Sequence, residues 1–239
     1  MNANRGPTLI RGNSALILQA TMKCRDIRIS PSELPGTLTL PDGASSLVIF
    51  PDGSGSSRHS PRNQLVGRAL NDRGFATLLF DLLTPAEEQD RANVFDIPLL
   101  AHRLIDALEW LEADADTKRL YFGLFGASTG AGAALVAAAD VGKRIGAVVS
   151  RGGRPDLAGA KLHRITVPTL FIVGGADHLV IELNEFALGQ LRGPKALVIV
   201  PGATHLFPEP GALEAVIEHA AQWFETYLRG ATPRGARVT

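Results

Sequence analysis

The sequence predicts an α/β fold: a mostly parallel sheet with helices on both faces, in a single domain with no large cap. Three observations predict it. From about residue 45 onward, short apolar runs alternate with stretches of helical period, and that alternation builds parallel sheets through crossover helices. The apolar runs are continuous, as strands buried on both faces require. No linker, repeat or low-complexity segment interrupts residues 20–230.

The elements follow in order. Residues 1–19 read as an N-terminal extension, without the cleavage site of a signal peptide. "CRDIRIS" and "LPGTLTLP" read as two short strands that open the sheet antiparallel. Cys24, in the first of them, reads as a small buried hydrophobe. "SSLVIF" is a strand buried on both faces, ending at Pro51. "NQLVGRALNDRG" is a helix closed by Gly74, and "FATLLFDLL" is the next strand. The longest loop, Leu82 to Val94, reads as part of a small cap. "VFDIPLLAHRLIDALEWLEAD" reads as one helix, with Ile97, Leu100, Leu104, Leu108 and Leu111 on one face and Pro98 confined to its first turn.

"RLYFGLFG" is a strand, and "TGAGAALVAAAD" after it is a helix of small residues that can lie close to a sheet. "IGAVVSRGG" is another strand. "PTLFIVGGAD" and "KALVIVPGA" are two more, with the helix "IELNEFALGQLRG" between them. "GALEAVIEHAAQWFETYL" holds the helical period to its end. Thus the domain is expected over 20–229, with 230–239 as a flexible C-terminal tail rich in Gly and Pro.

Composition narrows the function classes. Lys plus Arg number 24 and Asp plus Glu number 24, so the formal net charge is zero. Nothing in that balance draws the chain to nucleic acid or anionic lipid. One cysteine excludes an internal disulfide and suits a reducing compartment. No apolar run approaches the ~20 residues of a membrane span, so a cytoplasmic protein, monomer or homodimer, is expected. No His, Cys, Asp or Glu cluster has metal-ligand spacing. Neither metal nor cofactor is expected.

In open parallel sheets, ligands bind beyond the carboxyl ends of the strands. "SSLVIF" runs into Asp52-Gly53-Ser54-Gly55, and "YFGLFG" into Ser128, within Gly126-Ala127-Ser128-Thr129-Gly130. "GAVVS" runs into Arg151-Gly152-Gly153-Arg154, "TLFIVGGAD" ends in Asp177 and "ALVIVPGATH" ends in His205. A hydroxyl, a carboxylate and an imidazole therefore reach one edge from three strands, in the chain order Ser, Asp, His. Taken singly, Asp177 reads as a helix N-cap and His205 as a loop histidine. Their joint placement favours a triad.

The roles follow from the chemistry. Ser128 is a weak nucleophile until a base takes its proton. His205 is that base, and Asp177 orients the imidazole and stabilises its charged form. Gly126 and Gly130 permit the close backbone approach of a strand-to-helix turn. The backbone N–H groups of Thr129 and Ser54 are the expected oxyanion donors. Asp52, Arg151 and His59 are candidates for substrate contact, with Arg154 also near the mouth of the site. Asp81 reads as structural, and His178 as facing elsewhere.

"GLFGASTGAGAALVAA", "VSRGGRPDLAG", "LFIVGGAD" and "VPGATHLF" resemble the dienelactone hydrolase-like branch of the α/β-hydrolases, over about residues 20–229. The resemblance implies an eight-stranded sheet, a Ser128/Asp177/His205 triad and hydrolysis of small carboxylic esters or lactones through an acyl-serine. Two departures accompany it. Dienelactone hydrolases use a cysteine nucleophile where this chain has Ser128, and relatives usually carry His-Gly where it has Asp52-Gly53. The same triad also serves an acyltransferase or a thioesterase. A silent site in a binding protein is the alternative of a different class.

Overall fold

Eight strands among the described residues, 22–51 and 57–228 of the computed structural model, form one sheet. They are β1 (Met22–Ile29), β2 (Leu34–Pro41), β3 (Ser46–Pro51), β4 (Ala76–Phe80), β5 (Tyr121–Ala127), β6 (Ile145–Arg151), β7 (Thr169–Gly174) and β8 (Lys195–Val200). Their order across the sheet is β1-β2-β4-β3-β5-β6-β7-β8. The β1–β2 and β2–β4 pairs are antiparallel, and every pair from β4 to β8 is parallel. The expected antiparallel start and parallel body are both present. The N-terminal extension and the C-terminal tail lie outside the described residues.

Helices cover both faces because the strands bury both faces. The helices are α1 (Pro61–Asp72), α2 (Arg91–Val94), α3 (Ile97–Ala113), α4 (Thr129–Val141), α5 (His178–Gln190) and α6 (Ala212–Leu228). Residues of α3, α4 and α5 share one core with Leu78, Phe122 and Phe171 of the sheet. Residues of α1 and α6 share the other with Phe50, Phe125 and Ile172. β3, β4 and β7 are buried along their whole length, which is why they read as continuous apolar runs. Each fully buried Leu, Ile or Phe contributes about 1.5–3 kcal/mol. In α4 the small side chains serve close packing: a Cβ on Gly132 would lie 3.1 Å from the Arg154 carbonyl oxygen.

Two expectations need correction. Cys24 is exposed, because β1 is an edge strand and nothing covers that face of it among the described residues. The long helix read from Val94 is broken at Phe95 and Asp96: α2 ends at Val94, and the Asp96 carboxylate accepts from the Leu99 N–H at 2.9 Å to start α3 afresh. Pro98 falls in that first turn, as its missing N–H demands. After β6 the chain winds into 3₁₀ turns over Pro155–Arg164, kinked at Gly159. The loop before α2 carries a further 3₁₀ turn, Glu87–Gln89. No helix among the described residues is long and apolar enough to cross a membrane.

Candidate active site

The carboxyl edge of the sheet gathers the candidates. Ser128 stands between β5 and α4 with φ 50° and ψ −123°. An L-residue rarely holds a positive φ, and the strain costs roughly 1–3 kcal/mol. The turn is held from both sides. The Ser128 N–H donates to the Arg151 carbonyl at 3.4 Å, and its own carbonyl accepts from Ala131 at 3.2 Å and from Arg154 at 3.1 Å. Gly126 makes the tight turn sterically feasible: a Cβ there would sit 2.5 Å from the Ala131 Cα. Thr129 opens α4 and is buried, so its N–H lies in the helix's first turn beside Ser128.

Asp177 occupies the N-cap position of α5, yet its side chain accepts no capping bond. Instead Oδ2 lies 2.7 Å from His205 Nδ1. The bland sequence reading of Asp177 as a cap is thus not what its carboxylate does. The Asp177 backbone is fixed by its N–H to the Gly174 carbonyl and by its carbonyl to the Ile181 N–H. His205 follows β8 on a turn in which Ala203 packs against Gly174, where a Cβ would lie 2.4 Å from the Ala203 carbonyl oxygen. The imidazole rests on Gly152: a Cβ there would lie 3.5 Å from His205 Nδ1. Since the Ser128 backbone bonds to Arg151, the residue before Gly152, the Ser128 turn and the Asp177–His205 pair meet at one corner of the edge.

The remaining candidates divide. Arg151 is buried, with its guanidinium 6.0 Å from the Phe125 ring centroid, on the face of the sheet covered by α1 and α6. Arg154 forms two hydrogen bonds with the Asp156 carboxylate, at 2.8 and 2.7 Å. Those bonds, against partial burial, raise its pKa above the ordinary arginine value. Asp81 anchors Arg58, accepting from its backbone N–H at 2.7 Å and pairing with its guanidinium. That is the structural role expected. His59 and His178 are exposed. Asp52 and Ser54, expected in the oxyanion loop, lie outside the described residues. Among the described residues no group of three or more His, Cys, Asp or Glu is placed to hold a metal ion.

Two contributors were not singled out in the sequence. Gly152, with φ 51°, gives the His205 ring its seat. Asn184, fully buried in α5, donates to the Gly153 carbonyl at 3.0 Å. The one available signal for Asn184 was its spacing from Val180 and Ala187, which puts a polar residue on the buried face of α5.

Comparison with known proteins places the chain in a family and a fold. A family model described as the dienelactone hydrolase family matches residues 34–228. Proteins of two Mycobacterium tuberculosis strains, named putative phosphoribosyl transferases, are 58% identical over 205 residues, 86% of this chain and 46% of theirs. The chain therefore spans about half the length of these relatives. A crystal structure of a dienelactone hydrolase from Anabaena variabilis is 52% identical, with a TM-score of 0.84, covering 88% of this chain and 100% of that one. Est1E from Butyrivibrio proteoclasticus, at 17% identity and a TM-score of 0.71 over 85% of this chain and 98% of its own, shares the fold.

Proposed function

The chain belongs to the dienelactone hydrolase family, and from that premise we propose that it is a serine hydrolase of small carboxylic esters or lactones, working through an acyl-Ser128 intermediate. The observation that carries the reading is the Asp177 carboxylate. It leaves its own helix terminus uncapped and meets His205 Nδ1 at 2.7 Å, beside a strained Ser128.

In this reading Ser128 Oγ attacks the ester carbonyl carbon while His205 Nε2 takes the hydroxyl proton. Negative charge gathers on the carbonyl oxygen. The Thr129 N–H and the Ser54 N–H stabilise it. The tetrahedral species collapses, the C–O bond to the alcohol breaks, and His205 returns the proton to the departing oxygen. Water then attacks the acyl-serine and gives its proton to His205; the bond to Ser128 Oγ breaks, His205 passes that proton to Oγ, and the carboxylic acid leaves. Asp177 holds the Nδ1–H throughout, so that Nε2 faces the reaction. No step calls for a metal or an organic cofactor. Arg151, Asp52 and His59 remain the candidates for substrate contact.

The test is hydrolysis of p-nitrophenyl esters from acetate to octanoate by the protein and by Ser128→Ala. Turnover that vanishes in the variant is the expected result, with Ser128 labelled by a phosphonate. Two inert proteins and no labelling would leave a silent binding site as the reading. Addition of alcohols or thioesters separates hydrolysis from acyl transfer and thioester cleavage. The name of the curated relatives favours a second reading, phosphoribosyl transfer, but it belongs to chains of which this one covers 46%. Transfer of a phosphoribosyl group by this chain alone, without ester turnover, would support it.

A further inference from the structure

The turn after β6 brackets the site. Its Arg151 carbonyl accepts from Ser128, its Arg154 N–H donates to the Ser128 carbonyl, and its Gly152 N–H donates to the Ile172 carbonyl at 2.8 Å. Gly152 also seats the His205 ring. The middle residue, Gly153, is pressed onto the sheet and α4: a Cβ there would lie 1.9 Å from Ser150 Oγ and 2.6 Å from the Ala131 Cβ. One side chain reaches this bracket from the opposite partner. Asn184 Nδ2 donates to the Gly153 carbonyl at 3.0 Å and to the Val180 carbonyl at 2.7 Å. Asn184 belongs to α5, the helix that begins directly after Asp177.

We propose that Asn184 is a positioning residue for the reaction at Ser128: its amide ties α5, which carries Asp177 at its start, to the bracket that holds Ser128 and seats His205. This rests on the serine-hydrolase reading. A buried asparagine can instead serve only its own helix. Two observations speak against that. The side chain is fully buried, and its Oδ1 has no hydrogen-bond partner among the described residues, a cost that an aliphatic side chain of similar size avoids. What the aliphatic chain cannot supply is a pair of donor protons that span two elements. Asn184 supplies them where α5 meets the bracket.

The variants are Asn184→Ser and Asn184→Leu, with Asn71→Leu as control. A serine can still donate to the carbonyl four residues back but is too short to reach Gly153, so it severs the tie and spares the helix. Asn71 is also buried, and its amide likewise donates twice, to the Phe75 carbonyl at 2.9 Å and Thr77 Oγ1 at 3.0 Å, at the amino end of β4. The readouts are the unfolding midpoint, kcat and KM on p-nitrophenyl acetate, and hydrogen exchange of the Arg154 amide.

Asn184→Ser is expected to lower kcat about tenfold or more, as small misplacements of reacting groups do, with KM nearly unchanged and faster exchange at Arg154. Asn71→Leu is expected to lower the midpoint while sparing kcat and that amide. If Asn184→Leu fails to fold, Asn184→Ser carries the test. Wild-type kcat and wild-type Arg154 exchange in Asn184→Ser overturn the proposal, as does an equal loss of kcat in Asn71→Leu. Failure of the wild-type protein to label at Ser128 would sink the hydrolase reading separately, with the Arg154 amide still reporting whether the tie exists.

Discussion

A single methyl group at Gly152 should pull the site apart. Its φ of 51° disfavours any L side chain, and an added Cβ would lie 3.1 Å from the His205 carbonyl oxygen and 3.5 Å from Nδ1. Gly152→Ala is expected to cost about 1–2 kcal/mol of stability from the left-handed backbone. It should lower kcat by roughly tenfold to a hundredfold as His205 is displaced. Steady-state kinetics and a urea midpoint on the same sample check both; unchanged kcat would mean that the imbalance is absorbed away from His205. The residue scale also shows what a sequence makes legible. Ser128, Asp177 and His205 could be named because each follows an apolar run that ends at one edge. Gly152 could not, because its partner lies far along the chain and glycine carries no side-chain signal. Cys24 was misplaced for a related reason: burial on an edge strand depends on what packs above it, and β1 itself does not encode that.

At the scale of elements, the segment between β4 and α3 shows how local chemistry overrides periodicity. The apolar spacing of α3 was legible, but its start was set by the Asp96 cap. Ahead of it, Thr84 and Glu87 form a reciprocal cap. The Glu87 carboxylate accepts from the Thr84 N–H at 2.9 Å and hydroxyl at 3.0 Å, and the Glu87 N–H donates to the Thr84 hydroxyl at 3.3 Å. Arg103 of α3 donates to the other carboxylate oxygen at 2.7 Å, tying this turn to the helix. The Thr84 N–H first, with its hydroxyl and Arg103, holds the Glu87 carboxyl below its ordinary value of 4.5 against the opposing effect of burial. A lowered carboxyl pKa stabilises the fold fully above 4.5, and that stability is lost as pH falls through the folded value. Glu87→Gln should therefore cost about 0.5–1 kcal/mol at pH 7, and the difference from wild type should shrink as the pH falls below the ordinary carboxyl value and through the lowered one. Urea unfolding of both proteins across that range is the check, and a pH-independent difference would count against the carboxylate's role.

At the scale of the molecule, the proposed reaction and the end of α6 packed under the sheet lie at opposite ends of the same strands. The strands could be read in order from the sequence, but not their lateral arrangement, in which β4 sits between β2 and β3. Pairing across a sheet is settled by packing between distant segments, which no local window contains. At the amino half, α6 closes the sheet. The Phe224 ring is fully buried, 6.3 Å from the Phe75 ring centroid, and lies so close to β5 that a Cβ on Gly123 would come within 2.9 Å of it. Leu228 packs as closely on Gly146, and its carbonyl accepts from Ser46 Oγ at 3.2 Å. Ser128, Asp177 and His205 all stand at the carboxyl edge. Phe224→Ala opens a cavity in the amino half and should lower stability by about 3–5 kcal/mol. The turnover of the folded fraction, measured well below the unfolding transition, should stay within about twofold, since substitutions without shared partners act independently. A fall in kcat with the urea midpoint intact would mean that the α6 face communicates with the edge, and the division between a stabilising half and a reacting half would have to be given up.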